Sequence, residues 1–172
     1  MFTKADAEAY FNGEKQESIL FIAIGVIAII AALLLFFYFK QAWGKGAAWP
    51  LLVIGLMQCV VGFTVYARSD DQRKDIVYKM DLNPDALQQI EVPRMEKVMK
   101  NFVIYRYTEI ALLVGGIALF VFFRNQPGKQ WWMGLAAGFA LQAALMLLAD
   151  GFAERRGLTY INGLKQYLEG KN

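Results

Sequence analysis

The sequence predicts an all-α protein, a transmembrane four-helix bundle with short amphipathic cytoplasmic helices, and three observations carry that expectation. Of the 172 residues, 57% are hydrophobic and 19% charged, an apolar excess over the soluble balance of about half and a quarter. Four apolar runs are each long enough, at about 1.5 Å per residue, to cross a hydrocarbon layer of about 30 Å. Lysine and arginine are also spread unevenly among the segments that flank these runs, which gives them a direction. The whole chain, 1–172, reads as a single integral membrane domain.

The first run, 19–39, contains no charged residue. The preceding residues are mixed in charge (Lys4, Asp6, Glu8, Glu14, Lys15, Glu17), and Tyr38, Phe39 and Lys40 make a poor cleavage site. The segment therefore reads as an uncleaved span and not as a secretory signal. The second run covers 49–67, with Pro50 expected in its first turn, where a missing N–H is tolerated. The third, 102–123, carries Arg106 and Glu109 near its start, and the fourth, 131–153, carries Asp150 near its end.

With four spans, the N-terminal segment, the loop 69–101 and the tail 154–172 share one side. Together with Arg68, at the edge of the loop, that side carries thirteen lysines and arginines, against four (Lys40, Lys45, Arg124, Lys129) on the other. The bias places both termini in the cytoplasm. All four tryptophans (Trp43, Trp49, Trp131, Trp132) fall at the opposite interface, where an amphipathic indole is favoured.

In the loop, Ser69 is expected to cap a helix reaching about Met80, with Asp70 and Asp71 in its first turn. Asn83 and Pro84 start a short helical turn through Ile90, and Pro93 begins a long helix continuous with the third span. Apolar stripes recur at helical spacing (Ile76, Val77, Met80; Met95, Val98, Met99, Phe102) and want a surface to cover them. Counted with Arg68 at its edge, the loop holds seven basic and seven acidic residues, which argues against a nucleic-acid partner. After Gly157, the residues Leu158, Ile161, Leu164 and Leu168 suggest a short amphipathic helix along the inner interface. Ala5 to Phe11, broken by Asn12 and Gly13, suggest another.

Lipid tails are as apolar as leucine, so helices join in membranes through small residues and polar groups that find partners. Small stripes occur at Ala28 and Ala32, at Gly55 and Gly62, at Gly115 and Gly116, and at Gly134 and Gly138. A compact bundle or a second protomer would use them. The candidate intramembrane polar cluster is Arg106, Glu109 and Asp150, with Tyr105, Tyr66 or Thr108 nearby. Arg106 and Tyr105 lie three and four residues before Glu109, within reach on a helix. Gln58 and Gln142 form a candidate mid-membrane pair. An intramembrane ionisable group is by default a functional site, whereas one cation between two anions is an ordinary structural clamp; both readings remain open at this point.

The absence of histidine and the single cysteine, Cys59, remove most metal sites, haem imidazoles, histidine acid–base chemistry and disulfide frameworks. The chain has no HExxH, no serine beside a base and no phosphate-binding glycine loop. We expect no enzyme, no cofactor and no bound metal. The stretches EVPRMEKVMKNFVIYRYTEI (91–110) and DGFAERRG (150–157) resemble uncharacterised families of small four-span bacterial inner-membrane proteins. The resemblance implies a bacterial inner-membrane location and no activity. In length, span number and cytoplasmic termini the chain also resembles the immunity proteins of pore-forming bacteriocins, with no motif shared. The expected function is contact with membrane proteins or lipid, as an accessory subunit or a toxin-immunity protein. The alternative is an oligomeric channel or transporter using the Arg106, Glu109 and Asp150 cluster.

Overall fold

A computed structural model describes residues 2–170, which are helical almost throughout and contain no strand. Helix α1 (Lys4–Leu33) continues through a π-helical turn, Leu34–Phe39, and is followed by α2 (Ala42–Leu82). A short α3 (Pro84–Ala86) and a second π-helical turn, Leu87–Glu91, lead into α4 (Val92–Phe123), and α5 (Gln130–Glu169) completes the fold. Four helical stretches, of 36, 41, 40 and 40 residues, are long and apolar enough to cross a membrane.

Their length settles where the polar segments go. At about 1.5 Å per residue, 40 residues extend about 60 Å, twice the hydrocarbon thickness. In each stretch the surplus lies at the end that carries both chain termini. The short amphipathic helices expected along an interface are therefore mostly extensions of the long ones. Ser69 does not cap a helix: it lies inside α2, where its hydroxyl donates to the Val65 carbonyl at 2.7 Å and lies 3.2 Å from the Glu14 carboxylate of α1. Gly13 and Gly157 do not break α1 or α5 either. A Cβ at Gly13 would stand 3.0 Å from the Arg156 side chain, and one at Gly157 would stand 2.9 Å from the Met99 sulfur, so both glycines admit a neighbour to a continuing helix. Asn83 does act as a cap, its side chain accepting from the Ala86 N–H at 3.2 Å, with Pro84 following. At the N-terminus, Thr3 and Asp6 form a reciprocal capping box.

The four projecting ends enclose a hydrophobic core. Ala7, Tyr10 and Phe11 of α1, Ile76 and Met80 of α2, Leu87 and Met95 around the start of α4, and Tyr160, Ile161, Leu164 and Leu168 of α5 are buried together. The stripes of the loop and tail thus cover one another. Tyr10 and Tyr160 stack at 4.1 Å between centroids, and Phe2 and Phe11 meet Tyr160 edge-on. Ion pairs join the helices around this terminal cap: Lys4 with Asp81 at 2.6 Å, Lys165 with Glu96 at 2.6 Å, Lys15 with Asp70 and Arg156 with Glu17.

The apolar portions pack differently. The main helix contacts are α1 on α2, α2 on α5 and α5 on α4, with a smaller contact of α1 on α5. In contact order the helices run α1–α2–α5–α4, and the glycines that permit close approach lie on those three seams. Gly25 and Gly55 bring α1 and α2 together, a Cβ on either standing within 3 Å of the other's carbonyl oxygen. Between α2 and α5 the approach is closer still: a Cβ at Gly46 would stand 1.9 Å from the Trp131 oxygen, and one at Gly134 would stand 1.8 Å from the Trp43 oxygen. Gly116 admits the Ala136 oxygen and the Ala140 nitrogen, each at 2.9 Å, on the α4–α5 seam, whereas Gly115 has nothing within 4 Å. Pro50 lies inside α2 and not in its first turn, since the helix begins at Ala42. The proline cannot give the Gly46 carbonyl its usual helical donor, and its ring lies against Gly138, where a Cβ would come within 2.5 Å.

Candidate functional site

Helices α4 and α5 run antiparallel, and their register decides which polar side chains meet. Gly116 stands opposite Ala140, Arg106 opposite Glu154 and Glu96 opposite Lys165. Between the first two rungs, Glu109 and Asp150 face each other within hydrogen-bonding range. The structure therefore divides the expected three-residue cluster. Arg106 does not sit between the two acids; its Nη1 lies 3.0 Å from each carboxylate oxygen of Glu154. The reason is geometric: Asp150 and Glu154 are one helical turn apart on the same face of α5, so the arginine nearer the cap meets the acid nearer the cap.

Glu109 is 2% exposed, and neither of its carboxylate oxygens receives a hydrogen bond. The group in reach is another carboxyl, which has no hydrogen to give unless one of the two acids is protonated. Around them stand Glu154 on α5 and Glu17 on α1, each already paired, the first with Arg106 and the second with Arg156. The one-cation clamp is thus absent from the Glu109–Asp150 contact.

The remaining expected neighbours lie elsewhere. Tyr105 is 50% exposed. Tyr66 lies under the Lys15 ammonium, 4.9 Å from its ring centre, and the Thr108 hydroxyl donates to the Ile104 carbonyl of its own helix at 2.9 Å. The structure brings Gln58 and Gln142 together across the α2–α5 seam. The Gln58 Nε2 donates to Gln142 Oε1 at 3.4 Å, with both residues buried. Among the described residues no group of acids, histidines or cysteines is arranged to hold a metal ion.

A second polar constellation, in the cap, was not read from the sequence. Glu91 is buried and takes two 2.7 Å hydrogen bonds from Arg94, Nε to one oxygen and Nη2 to the other. The Tyr160 hydroxyl donates to the same carboxylate at 2.9 Å. Burial raises the Tyr160 hydroxyl above its ordinary range, and the charge of Glu91 raises it further. Burial raises Tyr10 too, together with the charge of Glu14. Burial alone would lower the Arg94 guanidinium, but its hydrogen bonds and charge contact with Glu91 outweigh that and hold it above its ordinary value. The spacing of Glu91 and Arg94, three apart on a helix, was a visible signal; the tyrosine that completes the network lies 69 residues from Glu91 and left none. The network is closed, with every charge answered, and it fixes the start of α4 to α5. Comparison with protein-family models, curated proteins and solved structures returned no match to this chain.

Proposed function

We propose that the chain is a non-enzymatic, multi-pass protein of the bacterial inner membrane, with both termini in the cytoplasm. It acts through contacts with another membrane protein or with lipid, in the manner of an accessory subunit or a toxin-immunity protein. One observation carries the reading. The apolar portion of α4 has a single close neighbour, α5, and turns Val114, Ile117, Val121 and Phe122 outward, while its other end is anchored in a well-packed cap. A helix held firmly at one end and covered on one side presents a long apolar flank to whatever lies beside it in the bilayer.

Photo-reactive residues at Val114 and Val121, activated in native membranes, test this. A discrete protein adduct identifies a partner on that flank, and lipid adducts alone narrow the contact to lipid. Tags on the two termini should be labelled only after the membrane is opened; labelling of intact cells would reverse the orientation. A second reading, an oligomeric channel or transporter, is favoured by the unsatisfied buried carboxyl of Glu109. Protein-only liposomes decide between the two, because a chain that moves ions without any partner does not work by contact alone.

A further inference from the structure

The contact between Glu109 and Asp150 lies on the seam that joins α4 to the rest of the molecule. We propose that these two side chains bind one proton between them, the O–H of one carboxyl donating to the carboxylate of the other, and that this proton holds the middle of α4 against α5. The inference goes beyond the contact reading and does not depend on it.

Three observations converge. Glu109 is almost completely buried and both its oxygens lack a donor, a costly state for a charged carboxylate away from water. The group it faces is the carboxyl of Asp150, and two carboxyls sharing one low-dielectric site do not both ionise. Among the described residues no nearby cation is free to neutralise them. On α4, Arg106 is engaged by Glu154 of α5; on α1, Glu17 faces the site and is engaged by Arg156; α2 carries no charged residue between Lys45 and Arg68, and Arg68 pairs with Glu14. A proton taken from water on the cap side completes the hydrogen bond, and its return to water leaves two carboxylates opposed across the seam. Because α4 packs on α5 in its apolar portion, that repulsion is exerted on the contact that keeps the helix in place.

The full chain in lipid bilayers, titrated by infrared difference spectroscopy in H2O and D2O, gives the test. We expect a carboxylic-acid carbonyl band at neutral pH that is lost on raising the pH and is absent from the double variant Glu109→Gln/Asp150→Asn. In Asp150→Asn the pH at which the band disappears should fall by about one unit or more, since the opposing carboxylate is gone. The Glu109→Gln amide supplies the donor that the proton supplies in the native chain, so this variant should keep its fold. Spin labels at Ile117 of α4 and Leu141 of α5 should separate as the band is lost and stay together in Glu109→Gln. A wild-type chain with no acid band at neutral pH, or a band unchanged in the double variant, overturns the shared proton. A label separation that does not follow the band overturns its hold on α4.

Discussion

The cap and the apolar half are built from the same four helices, yet they are held together by opposite means. In the cap the buried side chains are large: Phe11, Met80, Leu87, Met95, Tyr160 and Leu164 are each less than 2% exposed, and charged pairs ring them. In the apolar half the contacts between helices are made by Gly25, Gly46, Gly55, Gly116 and Gly134, by small alanines such as Ala28 and Ala32, and by two polar pairs, Gln58 with Gln142 and Glu109 with Asp150. Water explains the first. Removing large apolar groups from it contributes about 25 cal/mol per Å², so a core of aromatic and branched residues forms wherever helices project into solvent. Lipid offers no such gain, and helices there adhere by close backbone approach and by satisfying polar groups. The passage from large to small interior residues along the four helices is what the proposed membrane placement would require.

The sharpest way to break this contrast is to enlarge a seam glycine. With only 1.8 Å between a Cβ at Gly134 and the Trp43 oxygen, Gly134→Leu cannot be absorbed by side-chain movement. Its cost should exceed the ~1–3 kcal/mol of ordinary overpacking, and size-exclusion chromatography in detergent should show loss of the monodisperse species. The matching change in the cap is the reverse, large to small. Leu164→Ala, at a fully buried site, should cost about 2–5 kcal/mol, read as a lowered thermal midpoint, whereas an equally sized truncation at exposed Leu148 should have little effect.

Tyr160→Phe keeps the ring stacked on Tyr10 but removes the hydroxyl from Glu91; we expect a loss of about 1–3 kcal/mol. The same tyrosines set an alkaline limit. Burial holds the hydroxyls of Tyr10 and Tyr160 above the ordinary value of 10.0. Their contribution is therefore complete below that pH and is lost as pH rises beyond it. Ultraviolet titration should show the last tyrosinate signal arriving only with unfolding of the cap, where Tyr10 and Tyr160 are buried. The smallest effect belongs to the middle of the seam. Replacing Gln58 and Gln142 together by leucine should change stability by only about 0.6 kcal/mol, the typical scale of an interhelical hydrogen bond in lipid, by chemical denaturation in detergent.

Hydropathy and length are enough to find four helices long and apolar enough to span a membrane, because those properties depend on composition along the chain. Depth was enough to pair Gln58 with Gln142. What the chain hid was lateral. Ser69, Gly13 and Gly157 have the chemistry of caps and breaks, but each sits where another helix approaches, and that neighbour cannot be seen from local sequence. Spacing within one helix directs Arg106 to Glu109. The register between α4 and α5, set in part by Gly116 and Ala140, sends it to Glu154 instead. The order of helices depends on which small-residue stripes meet, and several stripes were equally eligible.

That order, α1–α2–α5–α4, is two helical hairpins set side by side, with the seam of Gly46 and Gly134 between the middle members. Each hairpin is complete in its own backbone hydrogen bonding and can enter a bilayer during synthesis before the other exists. Joining two such hairpins then depends on a single line of contact, the backbone approach at Gly46 and Gly134.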